Sequence, residues 1–188
     1  MSHRISQVVG FDDAPFAAAH RGNVLLVGAV YAGTRLEGVL SGQVRRDGAN
    51  AGATLIRVVS QSRFAAQLQA VLVQGIAFAG FNVIDIWAVH RALALPVIAV
   101  SRGRPDMAAV RRALLEHVPG GRRKWRLVEQ AGPVEAAGRV FVQRAGIALD
   151  DAAALVGRLA LNGALPEPLR TAHLIAGGIV RGESRHRP

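Results

Sequence analysis

The sequence predicts a mixed α/β fold: an antiparallel three-strand meander, then parallel strands, with helices on both faces of the sheet. Three observations predict it. Three strand-like apolar runs follow one another closely between Ile5 and Val44, where antiparallel pairing is the economical arrangement. Helix-period stretches and short apolar runs then alternate from Gly52 to Ser101, and strands joined through helices are parallel and right-handed. Finally, 51% of the 188 residues are apolar and 19% charged, enough for a sizeable core, so residues 1–188 read as a single domain. No repeat or low-complexity linker divides them.

Ile5 to Phe11 is a short apolar run that ends in Asp12-Asp13 and then Pro15. Successive strand side chains point to opposite faces, so the two carboxylates cannot share one core. Asn23 to Ala32 is near-continuously apolar and reads as a second, well-buried strand. Gly33-Thr34 turns the chain, and Leu36 to Val44 alternates as a third strand, broken at Asp47-Gly48. Leu55, Ile56, Val59 and Phe64 give helical spacing over Gly52 to Phe64. Val71 to Ile76 is a buried strand containing Gln74, and Val83 to Leu93 an amphipathic helix that Asn82 can cap, with Asp85 in its first turn. Pro96 to Ser101 is another strand, and Pro105-Asp106 opens a helix to about His117. Gly120-Gly121 precedes the basic cluster Arg122, Arg123, Lys124 and Arg126, with Trp125 inside it. Arg139 to Arg144 is a further strand. Asp150-Asp151 is placed to cap a helix running to Leu161, and Pro166 to Gly177 forms the last helix, containing His173. The tail from Arg181 to Pro188 is polar and loose. This is the general layout of ribonuclease-H-like nucleases.

With no cysteine, disulfides, thiolate metal sites and cysteine nucleophiles are excluded. Any metal must be held by oxygen and imidazole, which favours Mg²⁺ or Mn²⁺. No apolar run reaches the roughly 18 residues of a membrane span. Met1 to Arg4 carries no signal-peptide core, so a cytoplasmic protein is expected. The net charge is +10, and all of the 23 basic residues except Lys124 are arginine. A genomic bias explains arginine over lysine, but not the shortage of acids; a polyanionic partner, nucleic acid above all, explains both.

Asp12 with Asp13, Asp47 and Gln74 end strands whose carboxyl ends the predicted topology puts on one edge of the sheet. Open sheets bind ligands there. Oxygen donors so placed can hold magnesium between protein and phosphate. Each also has a plainer reading: Asp-Pro and Asp-Gly are turn chemistry, Gln74 is a satisfiable amide, Asp85 serves its helix dipole, and His173 is a core histidine. Glycines around Phe78 and Phe81, Gly80 among them, allow a phosphate or a packed neighbour to approach; without a lysine beside them they form no Walker loop.

Val9 to Phe16 (VGFDDAPF), Glu37 to Ser41 (EGVLS), Gly75 to Asp85 (GIAFAGFNVID), Arg170 to Ala176 (RTAHLIA) and Arg181 to Arg185 (RGESR) resemble the endonuclease dU family, similar in fold to endonuclease V. The resemblance spans Ile5 to Arg185, and the Gly80-Phe81-Asn82 block and the C-terminal block are its most specific parts. It implies a metal-dependent DNA endonuclease acting at deaminated bases, deoxyuridine in particular. It carries a metal aspartate onto Asp12 and a second onto Asp47, and sets Gln74-Gly75 where endonuclease V has an Asp-Gly pair. An uncharged amide oxygen there makes a weaker site, for which Asp13 or Asp85 can compensate. His173 matches a late histidine near the metal site by order, and His173 or Glu183 would assist proton transfer. The basic cluster would hold the DNA backbone while Trp125 stacks on a base; its plainer reading is a solvated helix start with a packing tryptophan. The alternatives are a non-catalytic nucleic-acid-binding protein that has lost a metal ligand at Gln74, and a small-molecule phosphohydrolase.

Overall fold

The computed structural model describes residues 5–184; Met1 to Arg4 and the tail beyond Ser184, including Arg185, lie outside them. The meander is present. β1 (Gln7–Asp13), β2 (Asn23–Ala32) and β3 (Arg35–Arg45) pair antiparallel in sequence order. α1 (Ala51–Ser60) leads to β4 (Ala70–Gln74), which returns parallel beside β1. A two-strand hairpin follows, β5 (Ala77–Phe78) and β6 (Asn82–Val83), and then α2 (Ile86–Leu93) and β7 (Val97–Ser101), parallel to β4. α3 (Met107–His117) and α4 (Gly121–Gln130) precede β8 (Glu135–Ala137) and β9 (Val140–Ala145). α5 (Leu149–Leu159) and α6 (Glu167–Arg181) close the described chain. The main sheet has seven strands in the order β3-β2-β1-β4-β7-β9-β8. Among the described residues no helix is long and apolar enough to cross a membrane.

Three local expectations are corrected. β9 runs antiparallel to β7 rather than parallel, because two helices and β8 intervene and β9 is entered from β8 on the outer edge. The basic cluster after the left-handed Gly120 lies at the start of a helix, α4, in agreement with its plainer reading. α2 is capped by Asp85, whose side chain accepts from the Ala88 N–H at 2.8 Å, while Asn82 is withdrawn into β6. Asp150 and Asp151 lie in the first turn of α5, where the dipole favours them, but neither caps it.

The core lies against both faces of the central strands, with Val8, Val9, Phe11, Val71, Leu72 and Val73 fully buried. α6 packs directly over β1 and β2. Gly10 makes this possible: a Cβ there would stand 2.6 Å from the Pro168 carbonyl carbon and 2.8 Å from the Leu169 nitrogen. From that crossing, two residues along β1 advance about 6.6 Å and four along α6 about 6 Å, so Asp12 and His173 arrive level with each other. The Tyr31 hydroxyl, hydrogen-bonded to Thr171 Oγ1 at 2.7 Å, pins the same turn of α6 to β2.

Candidate active site

Asp12 and Asp13 end β1 and point to opposite faces. On the α6 side, His173 Nδ1 is 2.8 Å from Asp12 Oδ2, and Asp12 Oδ1 accepts from the Asp13 N–H at 3.0 Å. Asp12 is 5% exposed. Burial holds its carboxyl above the ordinary carboxylate range, opposed by the hydrogen bond and charge of His173. Phe11 pairs with Val73, so Asp12 and Gln74 end neighbouring parallel strands one residue further on, with side chains to the same face. The buried Oε1 of Gln74 has no hydrogen-bond partner among the described residues.

On the other face, Asp13 Oδ2 accepts from the Ala79 N–H at 3.0 Å. Burial and the neighbouring Asp12 charge push Asp13 up to about 6, against the Ala79 hydrogen bond. The loop between β5 and β6 that supplies this N–H also holds Asp47. Ala79 C=O accepts from the Asp47 N–H at 2.9 Å, and the Phe81 N–H donates to Asp47 Oδ1 at 2.9 Å. Gly80 has to be glycine: its φ is +84°, and a Cβ would lie 2.5 Å from Asp47 Oδ1. Arg46 Nε stands 3.3 Å from Asp47 Oδ2, and Lys124 Nζ donates to the Asp47 carbonyl. Lys124 is almost fully buried, and that desolvation lowers its pKa against the pull of Asp47.

The predicted residues therefore divide into groups. Asp12, Gln74 and His173 share one face of the β1–β4 end; Asp13 and Asp47 meet at the hairpin loop on the same rim. Asp47 does not turn its carboxylate freely to Asp12, since backbone N–H and Arg46 engage both oxygens. No three His, Cys, Asp or Glu side chains among the described residues are grouped to hold a metal ion by themselves. Asn82 is completely buried, its Oδ1 accepting from Ala51 N–H at 3.0 Å and its Nδ2 donating to Arg45 C=O and Asn50 Oδ1 at 2.8 and 2.7 Å. That is a structural role, out of reach of nucleic acid. Arg122, Arg123 and Arg126 are exposed on α4, whereas Trp125 is half-buried with the Arg111 guanidinium 6.0 Å from its ring centre. Glu183 is exposed in the segment that turns back along α6 after Gly182, where Ser184 Oγ donates to Leu174 C=O.

Sequence reasoning missed a cavity of about 220 Å³ that opens from Gly75 between the hairpin, α3 and α4. Its walls are apolar, Ile76, Phe81, Met107 and Val128 among them, with Ser101 and Gln143 as polar members. The signal was available: Gln143 is an uncharged polar residue in the middle of a strand whose other members are mostly apolar.

A mixed sheet with carboxylates at the ends of its central strands, covered by α6, has the fold of endonuclease V-like α/β proteins. Within that class the chain belongs to the family described as Endonuclease dU, matched over residues 4–180. A UPF0215 protein from Deinococcus radiodurans is 56% identical over 96% of this chain and 92% of its own. A crystal structure of a protein of unknown function from Archaeoglobus fulgidus superposes with a TM-score of 0.87 at 33% identity, covering 94% of this chain and 99% of that one. Endonuclease V from Ciona intestinalis, in complex with a 24mer DNA containing an inosine followed by a ribo-adenosine, shares the fold at a TM-score of 0.57 and 13% identity, over 90% and 83% of the two chains.

Proposed function

We propose that the protein is a metal-dependent DNA endonuclease acting at deaminated bases such as deoxyuridine. One observation carries the reading: buried Asp12, paired with the half-buried His173, and the unsatisfied Gln74 oxygen share one face at the carboxyl ends of two parallel strands. The family membership and the endonuclease V fold support a nuclease. An orphaned buried amide oxygen and an adjacent buried carboxylate fit a hard divalent cation, which favours the ionised carboxylate that burial alone disfavours. Asp12 and Gln74 would hold Mg²⁺ or Mn²⁺, while Asp13 faces the hairpin loop on the other side of the strand. When bound, the ion would lower the pKa of water and neutralise charge on the scissile phosphate.

The chain supplies the rest. Asp12 accepts from His173 Nδ1 and so fixes the imidazole tautomer, leaving Nε2 to take or give a proton. Ala79 and Phe81 N–H groups fix Asp13 and Asp47 at the rim. Arg122, Arg123 and Arg126 meet the DNA backbone, consistent with a net charge of +10. Lys124 braces the Asp47 turn instead, and Trp125 packs. The cavity beyond Gly75 receives the damaged base, extruded from the stack.

The test is cleavage of uracil-, hypoxanthine- and undamaged DNA with Mg²⁺, Mn²⁺ or EDTA. Asp12→Asn should lower cleavage at least 100-fold while DNA binding persists; full activity in that variant would remove the assigned role. The non-catalytic reading, favoured by an amide at position 74, predicts binding in EDTA and no cleavage with either metal.

A further inference from the structure

The cavity wall contains one side chain whose orientation is fixed by its neighbours rather than by itself. Gln143 is 6% exposed, and its Nε2 donates to Gly132 C=O at 2.8 Å and to Val128 C=O at 3.4 Å. Turning the amide over would set its oxygen against two carbonyls, so the nitrogen stays where it is. Only the nitrogen of this amide is engaged among the described residues, and most of the wall around it is apolar. The oxygen is therefore open to a ligand N–H, a bond worth about 0.5–1.5 kcal/mol, with a mismatched lone pair there costing more.

Deamination changes a base at two adjacent atoms. The exocyclic amine becomes a carbonyl, and the neighbouring ring nitrogen gains a proton: N3 in uracil, N1 in hypoxanthine. Cytosine and adenine present a lone pair there instead. An acceptor fixed at that position bonds either product and is repelled by either parent. Thymine shares the N3–H, but it is held in a regular pair, and extrusion is easiest for a mismatched base. The cavity's roughly 220 Å³ also lies below the approximately 300–1,000 Å³ of sites for drug-sized ligands, as suits a single base.

We infer that Gln143 is the specificity-determining residue of this cavity, its fixed carbonyl oxygen accepting the ring N–H that a deaminated base carries and its parent lacks. The inference rests on the reading that the protein acts at deaminated bases, but its test does not require cleavage. Fluorescence anisotropy in EDTA would compare single-stranded oligonucleotides that differ at one base: uracil, hypoxanthine, cytosine or N3-methyluracil. The wild-type protein should bind uracil and hypoxanthine about tenfold more tightly than cytosine, and N3-methyluracil no better than cytosine. Gln143→Leu should bind all four alike. A wild-type protein without preference, or a Gln143→Leu variant that keeps it, would overturn the inference. If that variant does not fold, the comparison of uracil with N3-methyluracil on the wild-type protein decides alone. Base preference without cleavage in Mg²⁺ or Mn²⁺ would leave Gln143 its role and remove the nuclease reading; cleavage indifferent to the N3–H would do the reverse.

Discussion

Replacing Asn82 by alanine should destabilise the protein far more than its position in a two-residue strand indicates. The side chain is fully buried and makes three hydrogen bonds, to Ala51 N–H, Arg45 C=O and Asn50 Oδ1. Asn50 Oδ1 keeps the Arg45 N–H as a second donor, so its loss is small. The Ala51 N–H, at the start of α1 on a residue with no exposed surface, would be left without a partner, at about 1–3 kcal/mol. The two donor bonds of the amide add about 0.5–1.5 kcal/mol each, which puts the total near 3–4 kcal/mol. With a urea m-value towards the upper end of about 1–3 kcal/mol/M for a chain this long, the midpoint should fall by about 1–1.5 M. Urea denaturation followed by circular dichroism reads it directly. A shift below about 0.3 M would refute the reasoning, because it would mean that the Ala51 N–H finds another acceptor. The same variant should lose cleavage under conditions where it remains folded, since Asn82 ends the loop that holds Asp13 and Asp47.

Gln74→Asp should strengthen Mn²⁺ binding, read as a larger metal-induced rise in Tm than the wild type shows; an equal rise would remove Gln74 from the ligand set. Asp13, pushed up to about 6 from 3.8, binds its proton more tightly folded than unfolded, so the protonated group's contribution is present below pH 4 and lost as pH rises through 6. Metal-free protein should accordingly lose up to about 3 kcal/mol across that window, and Asp13→Asn should lose less; parallel pH profiles would contradict the assigned cause. Gly10→Ala should cost about 1–3 kcal/mol, because its Cβ meets Pro168 backbone, and a Tm within a degree of wild type would show that α6 can move aside.

The sheet was legible where burial left a strand no alternative. β2 matches its apolar run end to end because most of its residues are buried whichever face they point to. α4 was legible only as one of two readings, since only Lys124 and Val128 among its side chains are buried, and a buried lysine looks like a surface one. β8 is three residues long, pairs only with β9, and carries no pattern of its own. At the site, Asp12 announced itself as an acid closing an apolar run. Its partnership with His173 depends on α6 lying in step with β1 across 161 residues, which spacing along the chain cannot reveal. Asp47 was placed on the correct rim, but its carboxylate is engaged by Phe81 N–H and Arg46, and backbone donors leave no mark in a sequence.

The step-for-step match of α6 to β1 has a consequence for biosynthesis. A ribosome delivers Asp12 161 residues ahead of His173. Until α6 emerges and settles over Gly10, the acid of β1 has no imidazole beside it. Whatever reaction the pair performs is withheld from every nascent chain that has not yet reached α6.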